Sequence, residues 1–273
     1  MLIVDKIKEH RNNVPKELEG IDELDSTTKD YMLYKFLKDN LNDYPYLLEE
    51  LPVYFMEEIL INEINSYNFE RYFTDNVIKK LNEGTGKLRT ILLNHIEYAN
   101  LIPKLTTEKN YMPSSIYFNN EEKWVSISKY LALFQSRYGK KELISFLNSF
   151  NDRNSCENLF KEMEDSDFFY NALFDDDDII ELVKGNFGKN LNNDSFSKLI
   201  SKMSSLDNPN KYMNLLLDNN IYDRCKKDIS VSYLTRLLFE KDVSLISDIN
   251  INNLSNMELD IMNSFIDEFN AEN

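Results

Sequence analysis

Four consecutive aspartates, Asp175 to Asp178, stand between two apolar segments in the stretch FFYNALFDDDDIIELV. Carboxylates in a row can hold a metal ion, start a helix or present charge to a basic partner. Successive residues of a helix point about 100° apart, so four in a row do not converge on one ion. No EF-hand spacing and no His/carboxylate cluster accompanies them, and neither a metal site nor a cofactor is expected. Aspartate is a good N-cap, and acids in the first turn meet the positive end of the helix dipole, each worth roughly 0.3–1 kcal/mol. Ile179, Ile180, Leu182 and Val183 then begin an apolar face. Capping accounts for one or two of the four.

The neighbourhood accounts for more. Between Glu157 and Val183 the acids are Glu157, Glu162, Glu164, Asp165, Asp167, Asp175, Asp176, Asp177, Asp178 and Glu181, against the single base Lys161. That stretch carries more than half of the net charge of −16. Carboxylates fixed on helices offer anionic acceptors that a Lys/Arg-rich groove takes as it takes phosphates, and they gain from the same electrostatic steering. These ten acids are the expected partner-binding surface.

Other residues with chemical potential read differently. Glu63 lies at +7, +4 and +3 from Met56, Ile59 and Leu60, on an apolar helix face. A carboxylate there must find hydrogen bonds. It is expected to anchor the helix through backbone N–H groups or Arg71, the functional alternative being an acid aimed into an enzyme pocket. The stretch EGTGKLRT, Glu83 to Thr90, hints at a phosphate loop. That motif needs a Gly and a Ser or Thr where Leu81 and Leu88 stand, so Gly84 reads as a helix stop. His10 and His95 are the only histidines; His95 falls within an apolar stripe and reads as a packing residue. Neither can be paired with a nucleophile from spacing, and no catalytic residue is assigned.

The elements that position these residues are helical. Gly and Pro number six each, few for a β-rich fold. Trp124, Ile127, Leu131, Phe134 and Tyr138 form one stripe, with Asn120 as its cap and Gly139 as a left-handed stop. Leu88, Ile91, Leu92, His95, Ala99 and Ile102 form another, stopped by Pro103. Thr27 with Asp30 starts a helix before Tyr31 to Leu41, and Ser255 with Glu258 boxes the start of one carrying Ile261, Met262, Phe265 and Phe269. Ser114 to Phe118 is the best strand candidate. Thr106 to Asn120 is a long loop, and the Gly/Asn-rich stretch Gly185 to Asp194 marks a boundary. Short helices follow over Ser195 to Leu206, Pro209 to Leu217, Ser230 to Glu240 and Ser255 to Phe269.

The fold class is therefore all-α: an irregular multi-helix bundle with a C-terminal helical extension, which could stack as a short helical array. It divides into an N-terminal helical segment (1–50), an acidic helical domain (51–190) and a C-terminal helical subdomain (191–273). An acidic chain repels DNA, RNA and anionic membranes, and its basic pairs, Lys79-Lys80, Lys140-Lys141 and Lys226-Lys227, are short. Cys156 and Cys225 lie far apart, which suits a reducing compartment. No signal peptide is visible, and no apolar run approaches the ~20 residues of a spanning helix. A cytoplasmic setting is expected.

Two segments resemble one family. Ile61 to Asn76, INEINSYNFERYFTDN, is similar to the signature of the DNA mimic protein nineteen-like family, also described as a domain of unknown function. There a Glu precedes an Asn-Asn-Gly-Gly-Phe turn, followed by an aromatic pair and an Asn. Glu63, Asn65, Phe69, Tyr72, Phe73 and Asn76 match; Ser66, Tyr67 and Asn68 depart, so both glycines of the turn are missing. Asp167 to Phe187 is similar to the family's closing helix through Phe169, Tyr170, Asp177, Asp178, Leu182 and Phe187. The likeness covers roughly residues 51–190. It implies a helical, acidic, non-enzymatic protein and a homodimer through the shared domain; one branch of the family resembles DNA and occupies the DNA-binding face of a transcription factor. The expectation is a binding protein that engages a basic, DNA- or RNA-binding protein as a nucleic-acid mimic. The alternatives are an immunity or anti-defence protein blocking a toxin or nuclease, and an enzyme with a pocket near Glu63.

Overall fold

Apolar periodicity resolves into helices of modest length in the computed structural model of the chain. It describes residues 2–11, 13–106, 110–118 and 122–203, and beyond them the single positions 215, 218, 220, 221, 224, 256, 260, 263, 267 and 271. Helices dominate, and one two-stranded sheet occurs among the described residues, so the protein is predominantly all-α. Contacts divide the chain into two compact units, Met1–Asp152 and Arg153–Asn273.

The first unit opens with α1 (Ile3–His10), whose start is capped from a distance. Asp22 accepts hydrogen bonds from the Ile3 and Val4 amides at 3.0 and 2.9 Å and from Lys29 Nζ at 2.7 Å. Helix α2 (Ser26–Asn40) begins earlier than the Thr27/Asp30 pattern suggests, because Asp25 is the cap and accepts from the Thr28 amide at 3.1 Å. Next come α3 (Val53–Asn62), α4 (Asp75–Leu81, capped by Thr74) and α5 (Lys87–Leu92).

The stripe from Leu88 to Ile102 is not one helix. Helix α5 ends at Leu92, and after a non-helical His95 the chain continues as 3-10 turns from Ile96 to Lys104 with Pro103 inside them. Proline lacks an amide and its ring collides with the carbonyl four residues back, which excludes α-helical geometry there. His95 is buried as expected of a packing residue.

Trp124 is corrected as well. It belongs to β2 (Lys123–Ser126), which pairs antiparallel with β1 (Ser115–Phe118), Tyr117 facing Trp124. Helix α6 (Ile127–Tyr138) starts from Ser126, whose hydroxyl accepts from the Lys129 amide, and not from Asn120. Gly139 stops α6 at φ 88° and ψ 172°, a positive-φ corner that is extended rather than left-handed helical, and leads directly into α7 (Lys140–Asn148). Tyr130, Phe134, Phe146 and Phe150 fill the core beneath, with the Phe134 and Phe146 rings 4.7 Å apart. Burying each such ring contributes roughly 1.5–3 kcal/mol.

The second unit contains α8 (Arg153–Asp165), α9 (Phe168–Asn171), α10 (Asp176–Lys184), α11 (Asn186–Asn190) and α12 (Asn193–Ile200). Cys156, Leu159, Met163, Leu182, Phe187 and Leu199 are fully buried within it. The stretch Gly185 to Asp194 is a packed corner. A Cβ on Gly188 would lie 2.5 Å from the Val183 carbonyl oxygen and 2.6 Å from that of Leu182, so only glycine lets α11 fold back on α10. The helix expected over Ser195 to Leu206 starts earlier and ends at Ile200, with Ser201 at its C-cap and turn from there to Met203, while the segments Pro209 to Leu217 and Ser230 to Glu240 lie outside the described residues, apart from Leu215. So does the Ser255/Glu258 capping box, although Asn256, Asp260, Asn263, Asp267 and Ala271 beside it are helical and exposed. Among the described residues no helix is long and apolar enough to cross a membrane.

Candidate functional site

Two of the four aspartates start α10. Asp175 is the N-cap: its Oδ1 accepts from the Asp178 amide at 3.1 Å, while Asp178 Oδ2 accepts from the Asp175 amide at 2.8 Å. This reciprocal box satisfies two backbone donors that the helix start would otherwise leave open. Asp176 and Asp177 occupy the first turn, where their charge meets the positive end of the dipole.

The rest of the acidic stretch divides by what each carboxylate meets. Glu157 on α8 accepts from the Asn192 amide, from Asn192 Nδ2 at 2.7 Å and from Ser195 Oγ at 2.7 Å, tying α8 to the start of α12. Glu164 faces Lys202 at 2.8 Å and Lys198 at 3.6 Å. Glu162 is half-buried. Asp165, Asp167, Asp175, Asp177 and Glu181 are exposed. The stretch that sequence treats as one patch is thus part scaffold and part surface.

An apolar feature sits within that surface. Leu173 is 78% exposed, and it holds φ 54° although it is not glycine. Asp167, before α9, holds φ 52°. Left-handed backbone costs an L-residue roughly 1–2 kcal/mol, and such strain gathers at sites that aim a side chain. Leu173 lines a notch of about 560 Å³ with Phe169, Phe174, Ile179 and Lys202. A protruding leucine stands beside an apolar notch, with Asp165 and Asp167 before it in the chain and Asp175 to Asp178 after it, so apolar and anionic groups that a protein partner could contact lie on one stretch of chain. Sequence reasoning missed it because Leu173 reads there as one more core residue of an apolar run.

In the first unit, the buried acid is Glu57, not Glu63. Glu57 is 4% exposed and accepts from Thr85 Oγ1 at 2.8 Å and, more weakly, from the Leu88 amide at 3.5 Å. A carboxylate from α3 thereby closes the EGTGKL turn and meets the start of α5, the position an anion would take. Both glycines are explained. A Cβ on Gly84 would come within 2.8 Å of Val53 Cγ1, and Gly86 holds φ 76° as the cap of α5. Glu57 lies on the same apolar face, with Val53 and Leu60, and that spacing is the signal that could have found it. Glu63 is the half-buried residue that ends α3, where the helical spacing no longer applies, and its side chain bonds neither a backbone amide nor Arg71. Arg71 instead donates to Asn42 and to the Tyr72 hydroxyl.

The matched motif residues have packing roles. Phe69 and Tyr72 are buried, Phe69 lies 5.2 Å from Phe73 and 5.0 Å from Tyr98, and Asn76 donates to Glu49 at 2.8 Å. Asn65 is exposed. Asn68 supplies φ 59°, so the turn is made with one left-handed asparagine and no glycine. A cleft of about 530 Å³ is lined by Arg71, Tyr46, Glu49 and Asn76, but not by Glu63. Deeper in this unit, Arg89 is 3% exposed, donates to Ser149 Oγ at 3.0 Å and lies 4.6 Å above the Phe150 ring. Burial pushes its guanidinium down to about 10, which still leaves it charged at neutral pH.

Among the described residues no group of three His, Cys, Asp or Glu side chains is placed to hold a metal ion. No family model, curated protein or solved structure matches the chain.

Proposed function

We propose that this is a non-enzymatic binding protein that docks a basic, nucleic-acid-binding protein on the surface running from Asp165 to Glu181. The observation that carries this reading is the exposed, left-handed Leu173 beside its apolar notch, with Asp167 on one side in sequence and Asp175 to Asp178 on the other. Charge alone is an ordinary solvated face. Charge flanking an apolar anchor supplies both steering and a desolvated contact. Carboxylates held in the first turn of α10 stand at fixed positions, as backbone phosphates do, and this supports a surface that competes with nucleic acid for its partner.

The test is capture by the immobilised protein from an extract of the organism that encodes it, at low and high salt, followed by elution with duplex DNA. The reading predicts a salt-sensitive basic partner that duplex DNA releases and that Leu173→Ser no longer captures. Capture that ignores salt, DNA and Leu173→Ser would contradict it.

A further inference from the structure

At the other end of α10, about 13 Å along the helix axis, the charge reverses. Lys184 of α10, Lys189 of α11, Arg153 of α8 and Arg224 line a cavity of about 830 Å³, with Asp218 the one acid among the described lining residues. The four bases come from three separate stretches of sequence, and the fold gathers them in a chain whose net charge is −16. Arg224 is committed to the scaffold: it donates to the Gly188 and Leu191 carbonyls at 3.0 and 2.6 Å and stacks 3.6 Å over Phe196. The side chains of Lys184, Lys189 and Arg153 make no hydrogen bond or ion pair with a described residue, and all three residues are exposed. The Asp218 carboxylate accepts from the Asn220 amide at 3.0 Å.

Helix energetics explain two of these cations and not the third. Lys184 and Lys189 lie in the last turns of their helices, where a cation offsets the negative end of the dipole. Arg153 is the first residue of α8, the end where a cation is disfavoured. Its convergence with the two lysines on one concavity needs another cause. We propose that the cavity binds a small anion carrying two or more phosphate groups, with Arg153, Lys184 and Lys189 as its ligands. The volume is that of a small-molecule site, and the net positive charge of the described lining residues matches a multiply charged guest better than a single carboxylate. The inference does not rest on the docking surface, and either can fail without the other.

The test is calorimetric titration with inorganic triphosphate, pyrophosphate, orthophosphate and citrate at low salt, using the full chain. Saturable binding is expected in the order triphosphate, pyrophosphate, orthophosphate, with citrate weaker than pyrophosphate. Lys184→Gln with Lys189→Gln should lower the unliganded melting temperature only slightly, through the lost helix-end charges, and weaken triphosphate at least about tenfold, the loss of one charge-assisted contact or more. Arg153→Gln should weaken triphosphate likewise. No saturable binding of any phosphate, citrate as tight as pyrophosphate, or triphosphate affinity unchanged in both variants would each overturn it.

Discussion

Two regions use aspartate and glutamate in opposite ways. In the first unit a single carboxylate, Glu57, is drawn from α3 into a buried turn and satisfies a hydroxyl and a backbone amide there. In the second unit a dense run of carboxylates begins α10, where two of them close the capping box, and Asp165 stands exposed at the end of α8. A carboxylate's contribution follows from the donors it meets and from its burial, not from how many acids surround it. Glu57 should therefore matter greatly to stability and not at all to partner binding, and Asp165 the reverse.

The largest effect tests the buried side of this contrast. Glu57→Ala leaves the Leu88 amide and the Thr85 hydroxyl without their acceptor and opens space at Gly84; a loss of about 2–3 kcal/mol is expected by denaturant unfolding. A loss within experimental error would show that the turn closes without Glu57.

A second carboxylate of the first unit gives a pH signature. Burial would raise the Asp22 carboxyl, but the Lys29 ammonium and the Val4 and Ile3 amides outweigh it and hold it below the ordinary aspartate value. Its contribution is complete above the unfolded-state value, near 3.9, and is lost as pH falls from there through the depressed folded value. Asp22→Asn should lower stability at neutral pH and flatten that part of the acid limb. An unchanged limb would remove Asp22 from the account of α1.

Smaller effects sharpen the other side. Asp175→Ala removes the N-cap of α10 and should cost about 1 kcal/mol. Asp165→Asn removes one exposed charge of the same acidic stretch and should alter stability by less than about 0.5 kcal/mol in either direction. If the two variants were equally destabilised, the division between scaffold and surface within the stretch would be wrong.

Part of this was legible in sequence. Asp175 to Asp178 read as a cap because the run stands just before Ile179, Ile180, Leu182 and Val183, and local chemistry settles a helix start. Ser114 to Phe118 read as a strand, and β1 is there. Its partner was hidden, because Trp124 falls by chance at helical spacing from Ile127 and Leu131, and four residues are too few for alternation to compete. The helix expected through His95 failed for a related reason: apolar spacing persists across a 3-10 segment whose hydrogen bonds Pro103 alters. What no local pattern contains is convergence. Arg153, Lys184, Lys189 and Arg224 share a cavity only through the packing of the second unit, and Leu173 becomes exposed only because its backbone turns left-handed after α9.

The central claim is that the surface from Asp165 to Glu181 binds a partner while the capping pair holds the fold. It is tested most directly by two charge-matched variants carried through the same melting and capture measurements. One replaces Asp165 and Asp167 by their amides; the other replaces Asp175 and Glu157 by alanine. The account predicts that the first keeps its melting temperature and loses salt-sensitive capture, and that the second melts markedly lower. Full capture by the first variant at low salt would contradict it.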